Sequence, residues 1–170
     1  PDVAFNDYIA NMDLGEDLVC YIVASVLENC GEDLKKLERD VKPLENIKRP
    51  FYRISYDESV AKLQTAGSAI TWGSDLGGED ETIFTKMYDK PVYVYCYPRE
   101  CKAFYMKINP DNPKTVLCAD LLAPEGYGEI IGGSQRADDY DELLGRIREH
   151  GLSEEAYKWY LDLRKYGSVP

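Results

Sequence analysis

The run Pro91-Val-Tyr-Val-Tyr-Cys-Tyr97 constrains the fold most, because unbroken β-branched and aromatic residues predict a strand near the middle of the chain. Helical spacing lies on both sides of it. Leu18, Val19, Ile22, Val23, Val26 and Leu27 recur at intervals of three and four and predict a core helix, with Glu16 and Asp17 in its first turn and Gly31 as its C-terminal cap. Glu32 to Asp40 reads as a second, more charged helix, and Val41 to Pro50 as a connector. Phe51 to Ser55 predicts a short strand, Asp57 to Gln64 a helix with Val60 and Leu63 inward, and Thr65 to Gly78 a Gly- and Ser-rich loop. Another helix follows from Glu79 to about Tyr88.

Beyond the central run, Ala103 to Ile108 and Thr115 to Ala123 predict two strands joined by Asn109-Pro-Asp-Asn-Pro113, whose residues suit a reversal. Tyr127 to Gln135 predicts a further strand. Two helices then close the chain: Asp139 to His150 with Leu143, Leu144 and Ile147 inward, and one from Ser153 as N-cap to Tyr166 with Gly167 as stop. Central strands with helices at both ends indicate an α+β fold, an antiparallel sheet carrying helices on one face. A length of 170 residues suits a single domain.

Composition excludes several classes. Twenty basic against 31 acidic side chains, a net charge of -11, argue against a basic nucleic-acid-binding domain. No apolar run approaches the roughly 20 residues of a membrane helix. The opening PDVAFNDYIA has neither the basic start nor the apolar core of a secretory signal, so a cytoplasmic protein without membrane partners is expected. Five cysteines without a C-x-x-C pair, and the single His150, support neither a disulfide framework nor structural zinc; buried, reduced thiols are expected. P-loop, dinucleotide-binding and nucleophile-elbow motifs are lacking. The start at Pro1 and the end at Gly167-Ser168-Val169-Pro170 suggest a piece of a longer chain.

Tyr127-Gly-Glu-Ile-Ile-Gly-Gly-Ser-Gln-Arg136 carries the most chemical information. In a regular strand Glu129 and Arg136, seven apart, point to opposite faces. A one-residue bulge at the glycine pair Gly132-Gly133 would return both to one face over a floor that a ligand can approach closely. Otherwise the two are solvent-facing charges. Antiparallel pairing through Pro124-Glu-Gly126 places Asp120 near Glu129, where two carboxylates raise a pKa or share a cation. Magnesium, completed by substrate phosphates, suits such a pair better than calcium; an ion pair of Asp120 with a nearby Lys or Arg is the alternative. Lys102 starts a strand beside aromatics, and Arg164 closes the last helix, where a cation favours the dipole.

Lys102-Ala-Phe-Tyr-Met106, Ala119-Asp-Leu-Leu-Ala-Pro124, Gly128-Glu-Ile-Ile-Gly-Gly-Ser-Gln-Arg136 and Trp159-Tyr-Leu-Asp-Leu-Arg-Lys-Tyr-Gly167 together resemble the catalytic domain of the asparaginyl-tRNA synthetases. These are class II aminoacyl-tRNA synthetases, in a subgroup shared with the aspartyl and lysyl enzymes. Pro1-Asp-Val-Ala-Phe5 resembles the stretch after the second class II motif, so residues 1–170 would be a single partial catalytic domain between the second and third motifs. The resemblance implies an ATP-dependent ligase that makes asparaginyl-adenylate and passes asparagine to tRNA(Asn), in a homodimeric parent. It implies Glu129 and Arg136 as catalytic residues: Glu129, with Asp120 beside it, holds Mg2+ at the ATP phosphates, and Arg136 grips the substrate side chain. Asp2 would accept the amide N–H bonds, and Lys102, Gly132, Gly133 and Arg164 complete the substrate-binding set. Where relatives carry serine as a second metal contact, this chain has Gly132. Because the first and third motifs, the second-motif Arg-x-Glu and the anticodon-binding OB-fold are not in these 170 residues, the piece alone is expected to bind ATP poorly and charge no tRNA. The alternatives are an aspartyl-tRNA synthetase, a synthetase-derived asparagine-forming enzyme, and a catalytically silent synthetase-like binding module.

Overall fold

A computed structural model describes residues 2–167; the expectations attached to Pro1 and to Ser168-Val169-Pro170 lie outside the described residues. The chain opens with α1 (Tyr8–Asn29), begun by Asp7, whose carboxylate accepts the Ala10 N–H at 2.7 Å. The helix therefore starts well before Glu16 and Asp17. Its buried face is Met12, Gly15, Glu16 and Val19, while Leu18 and Ile22, expected inward, are 41% and 49% exposed. Gly31 does not cap α1 but begins α2 (Gly31–Lys36), with Cys30 as the joint. A single turn, α3 (Lys42–Glu45), interrupts the expected connector.

Then come β1 (Tyr52–Ser55), α4 (Tyr56–Thr65), α5 (Gly78–Thr85) and β2 (Val92–Tyr95). Ser55 and Glu58 form a reciprocal capping box at α4, and Val60 and Leu63 face inward as their spacing requires. Next are β3 (Cys118–Ala123), β4 (Gly128–Ser134), α6 (Tyr140–Glu149) and α7 (Lys158–Lys165). Asp139 caps α6 by accepting from Glu142 N–H at 2.8 Å, and Leu143 and Ile147 are fully buried. Ser153 caps only a turn, accepting from Ala156 N–H at 3.3 Å, and α7 begins later than expected.

The sheet runs in the order β1-β2-β3-β4 and is mixed rather than antiparallel, because β1 pairs parallel with β2. A parallel pair needs a crossover, and α4 and α5 form it. Ala103 to Ile108 is not a strand: Met106 and Ile108 make only isolated bridges to Arg136 and Val116.

Helices cover both faces of the sheet, not one. Val92, Val94, Cys118 and Leu122 pack with Tyr56, Val60, Leu63 and Phe84 of α4 and α5. Tyr93, Ala119 and Leu121, on the opposite face, pack with Met12 and Val19 of α1. That contact requires a glycine: a Cβ on Gly15 would lie 2.1 Å from the Tyr93 hydroxyl, which donates to Met12 O at 3.1 Å. A third cluster joins α6 to α7 through Leu143, Ile147 and Leu161. The five cysteines are free thiols, yet only Cys118 is fully buried. Among the described residues no helix is long and apolar enough to cross a membrane.

Candidate active site

The bulge that turns Glu129 sits two residues before the glycine pair. Leu121 pairs with Ile131 and Leu122 with Glu129, leaving Ile130 as the extra residue. Glu129 thereby joins Gly132 and Asp120 on one face: a Cβ on Gly132 would lie 2.6 Å from Glu129 Oε1 and 3.5 Å from Asp120 Oδ1. Gly133 faces the other way, where a Cβ would meet Asn11 Nδ2 of α1 at 2.5 Å. The two glycines thus serve different faces, one clearing space for carboxylates and the other for a helix. Glu81 of α5 pins the strand's start by accepting the Glu129 N–H at 3.0 Å.

Asp120 is 7% exposed and paired with Lys102, whose ammonium donates to its Oδ2 at 2.8 Å. Lys102 also lies 3.0 Å from Asp75 Oδ1 and 3.9 Å from the centre of the Tyr97 ring. Burial opposes the ammonium charge, but Asp120 and Asp75 outweigh it and hold Lys102 above the ordinary lysine range. Burial pushes the Asp120 carboxyl up, with Lys102 pulling it back. Glu129 is also raised, first by desolvation and then by the charge of Asp120. Two like charges near one another leave room for a cation. Among the described residues no cluster of three or more His, Cys, Asp or Glu side chains gathers as a metal cage. A donor set of Glu129 and the outer oxygen of Asp120 fits magnesium only when phosphate oxygens complete it.

Arg136 lies at the other end of the same strand run. Its guanidinium stacks 4.3 Å from the Tyr105 ring centre and donates to Ser134 Oγ at 3.1 Å. Asp2 comes within 3.9 Å of it, with its own side chain 99% exposed. Arg164 is engaged elsewhere, donating to Ala137 O at 2.9 Å and to the Tyr160 hydroxyl at 3.0 Å. An open cleft of about 1200 Å³ is lined by every residue singled out in the sequence for metal or substrate. Tyr105, Tyr97 and Asp75 were not among them. The aromatic pair Phe104-Tyr105 beside Lys102 signals the first, whereas Asp75 sits in a loop with no local mark of its role.

A bulged sheet face with two carboxylates at one end and a stacked guanidinium at the other marks an α+β domain with an open, charged cleft. The sequence model of the tRNA synthetases class II (D, K and N) matches residues 2–170, and the chain belongs to that family. The asparagine–tRNA ligase of Koribacter versatilis (strain Ellin345) is 54% identical over 176 residues, covering 100% of this chain and 40% of the relative. An asparaginyl-tRNA synthetase from Pyrococcus horikoshii, solved with asparaginyl-adenylate, superposes with a TM-score of 0.95 at 50% identity, covering 99% of this chain and 39% of that one. The Entamoeba histolytica asparaginyl-tRNA synthetase, also with asparaginyl-adenylate, gives a TM-score of 0.86 at 33% identity over 99% of this chain and 38% of that one. The chain thus spans about two fifths of the length of these relatives.

Proposed function

We propose that residues 1–170 form a partial catalytic domain, lying between the second and third class II motifs, of an asparagine–tRNA ligase. The parent would activate asparagine with ATP to asparaginyl-adenylate and transfer it to tRNA(Asn), as a cytoplasmic homodimer. The observation that carries this reading is the 54% identity, over the whole chain, to an asparagine–tRNA ligase. The common face of Glu129 and Asp120, and the cleft they share with Arg136, give it a chemical basis.

Activation joins the substrate carboxylate to the α-phosphorus of ATP and expels pyrophosphate. Arg136, fixed by the Tyr105 ring, would donate to the amide oxygen of asparagine, and Asp2 would accept from its N–H groups. Polar partners left unmatched by a wrong side chain would supply the discrimination. Glu129 and Asp120 would hold magnesium, which when bound supplies neutralising charge at the ATP phosphates. Lys102 holds Asp120 in place through its ammonium, and Gly132 would leave the carboxylates room to face the phosphates. Gly133 admits α1 behind the floor, and Arg164 braces the backbone beside Arg136 at Ala137. These roles are positioning and electrostatics, without a covalent enzyme intermediate.

ATP–pyrophosphate exchange by the parent protein tests the reading. Exchange should depend on asparagine; exchange driven better by aspartate would overturn it.

A further inference from the structure

A bulge disturbs the ladder around its extra residue, and the backbone groups there need partners of their own. Beside Ile130 the disturbed neighbour is Glu129, whose N–H donates to Glu81 Oε2 of α5 at 3.0 Å. This bond is charge-assisted and joins residues 48 apart in the chain. The Glu81 carboxylate is not spent on its own helix. Asp80, one residue earlier, serves the start of α5 by accepting the Gly77 N–H at 3.3 Å and the Ser68 hydroxyl at 2.5 Å.

Glycine makes the approach possible. Gly128 has φ +78°, and a Cβ there would lie 2.5 Å from Glu81 Oε2; a Cβ on Gly126, at φ +86°, would lie 3.4 Å from the Thr82 methyl. Helix α5 therefore closes on the turn between β3 and β4 and grips the backbone one residue before the bulge. Glu81 does not line the cleft, so it can act on a ligand only through Glu129. We infer that Glu81 is a positioning residue for the acid end of the cleft: by holding the Glu129 N–H it fixes the bulge that puts Glu129 on one face with Asp120, where a divalent cation can be shared. This rests on the magnesium reading above and adds the residue on which that geometry depends.

The test follows thermal melting of the parent enzyme with a non-hydrolysable ATP analogue while magnesium is titrated. Glu81→Ala should raise the magnesium concentration at half-maximal stabilisation by about tenfold, the usual cost of losing a group that orients a metal ligand. Glu81→Gln keeps an acceptor oxygen for the Glu129 N–H and should stay close to wild type. Glu81→Asp keeps the charge but is one methylene shorter; it should shift the midpoint in the same direction as Glu81→Ala, and it carries the test if the alanine variant does not fold. Arg39→Ala is the control for mere docking of the turn, since Arg39 donates to Glu125 Oε2 at 2.8 Å without touching Glu129; it should leave the midpoint in place. An unmoved midpoint in Glu81→Ala and Glu81→Asp, an equal shift in Glu81→Gln, or an equal shift in Arg39→Ala would overturn the inference. An unmoved midpoint in Glu129→Ala would instead overturn the magnesium reading beneath it.

Discussion

The guanidinium of Arg136 stacks on Tyr105, 4.3 Å from the ring centre, while the backbones of Arg136 and Met106 form a bridge. An exposed arginine has many rotamers, and an aromatic face removes most of them before a ligand arrives. Tyr105→Leu should raise the parent's KM for asparagine several-fold and its KM for ATP much less. Tyr105→Phe, which keeps the ring, should lose less than Tyr105→Leu. Equal damage from both variants in steady-state kinetics would remove the stacking explanation.

Glu129 and Arg136 occupy opposite ends of the site and should fail differently. Glu129→Ala should abolish magnesium-dependent adenylate formation in the parent, whereas Arg136→Ala should mainly raise the KM for asparagine. Wild-type kinetics in both would defeat these assignments.

The Glu129 carboxyl is raised by burial and by Asp120, so the folded chain holds this proton more tightly than the unfolded chain does. Stability is therefore lost as pH rises from the ordinary carboxylate value through the raised one. Glu129→Gln removes that penalty, and the variant should melt higher than wild type at about pH 7 and the gap should close at about pH 4. Calorimetry showing no gap at neutral pH would contradict this sign.

Glu16 lies at 0% exposure in mid-helix, accepting from Arg53 at 2.7 Å, Arg49 at 3.2 Å and the Phe51 N–H at 3.2 Å. Removing one member of a buried charged network strands the others. Glu16→Ala should cost about 3 kcal/mol in urea unfolding, and Glu16→Gln less. A loss below about 1 kcal/mol, typical of exposed pairs, would show that water screens the network.

Gly15→Ala sets helix propensity against packing. Alanine would gain up to about 1 kcal/mol in a free helix, but its Cβ would lie 2.1 Å from the Tyr93 hydroxyl. Overpacking of that kind costs about 1–3 kcal/mol and should win. In the Tyr93→Phe background the clash disappears and the same substitution should cost less, a coupling that a double-mutant cycle reads directly.

Local pattern was enough to place most elements. Val60 with Leu63 and Leu143 with Ile147 repeat at helical spacing and are buried in α4 and α6, and alternation in Val92–Tyr95 matches the two faces of β2. The strand of Glu129 and the need for a bulge were also legible, since face alternation is a property of neighbouring residues. The bulge's seat at Ile130 was not, because register depends on the partner strand. Ala103 to Ile108 has strand composition but reaches its neighbours only through isolated bridges.

What the chain's linear order determined was therefore periodicity, caps and the short segments that bear acid and base, all set by residues within a few positions of each other. Only tertiary structure decided that β1 lies parallel to β2, that Glu16 is buried and Leu18 exposed, and that Lys102 belongs to Asp120 and Asp75. Those outcomes turn on the balance between desolvation and pairing, and the partners that settle it stand 18 to 37 residues away.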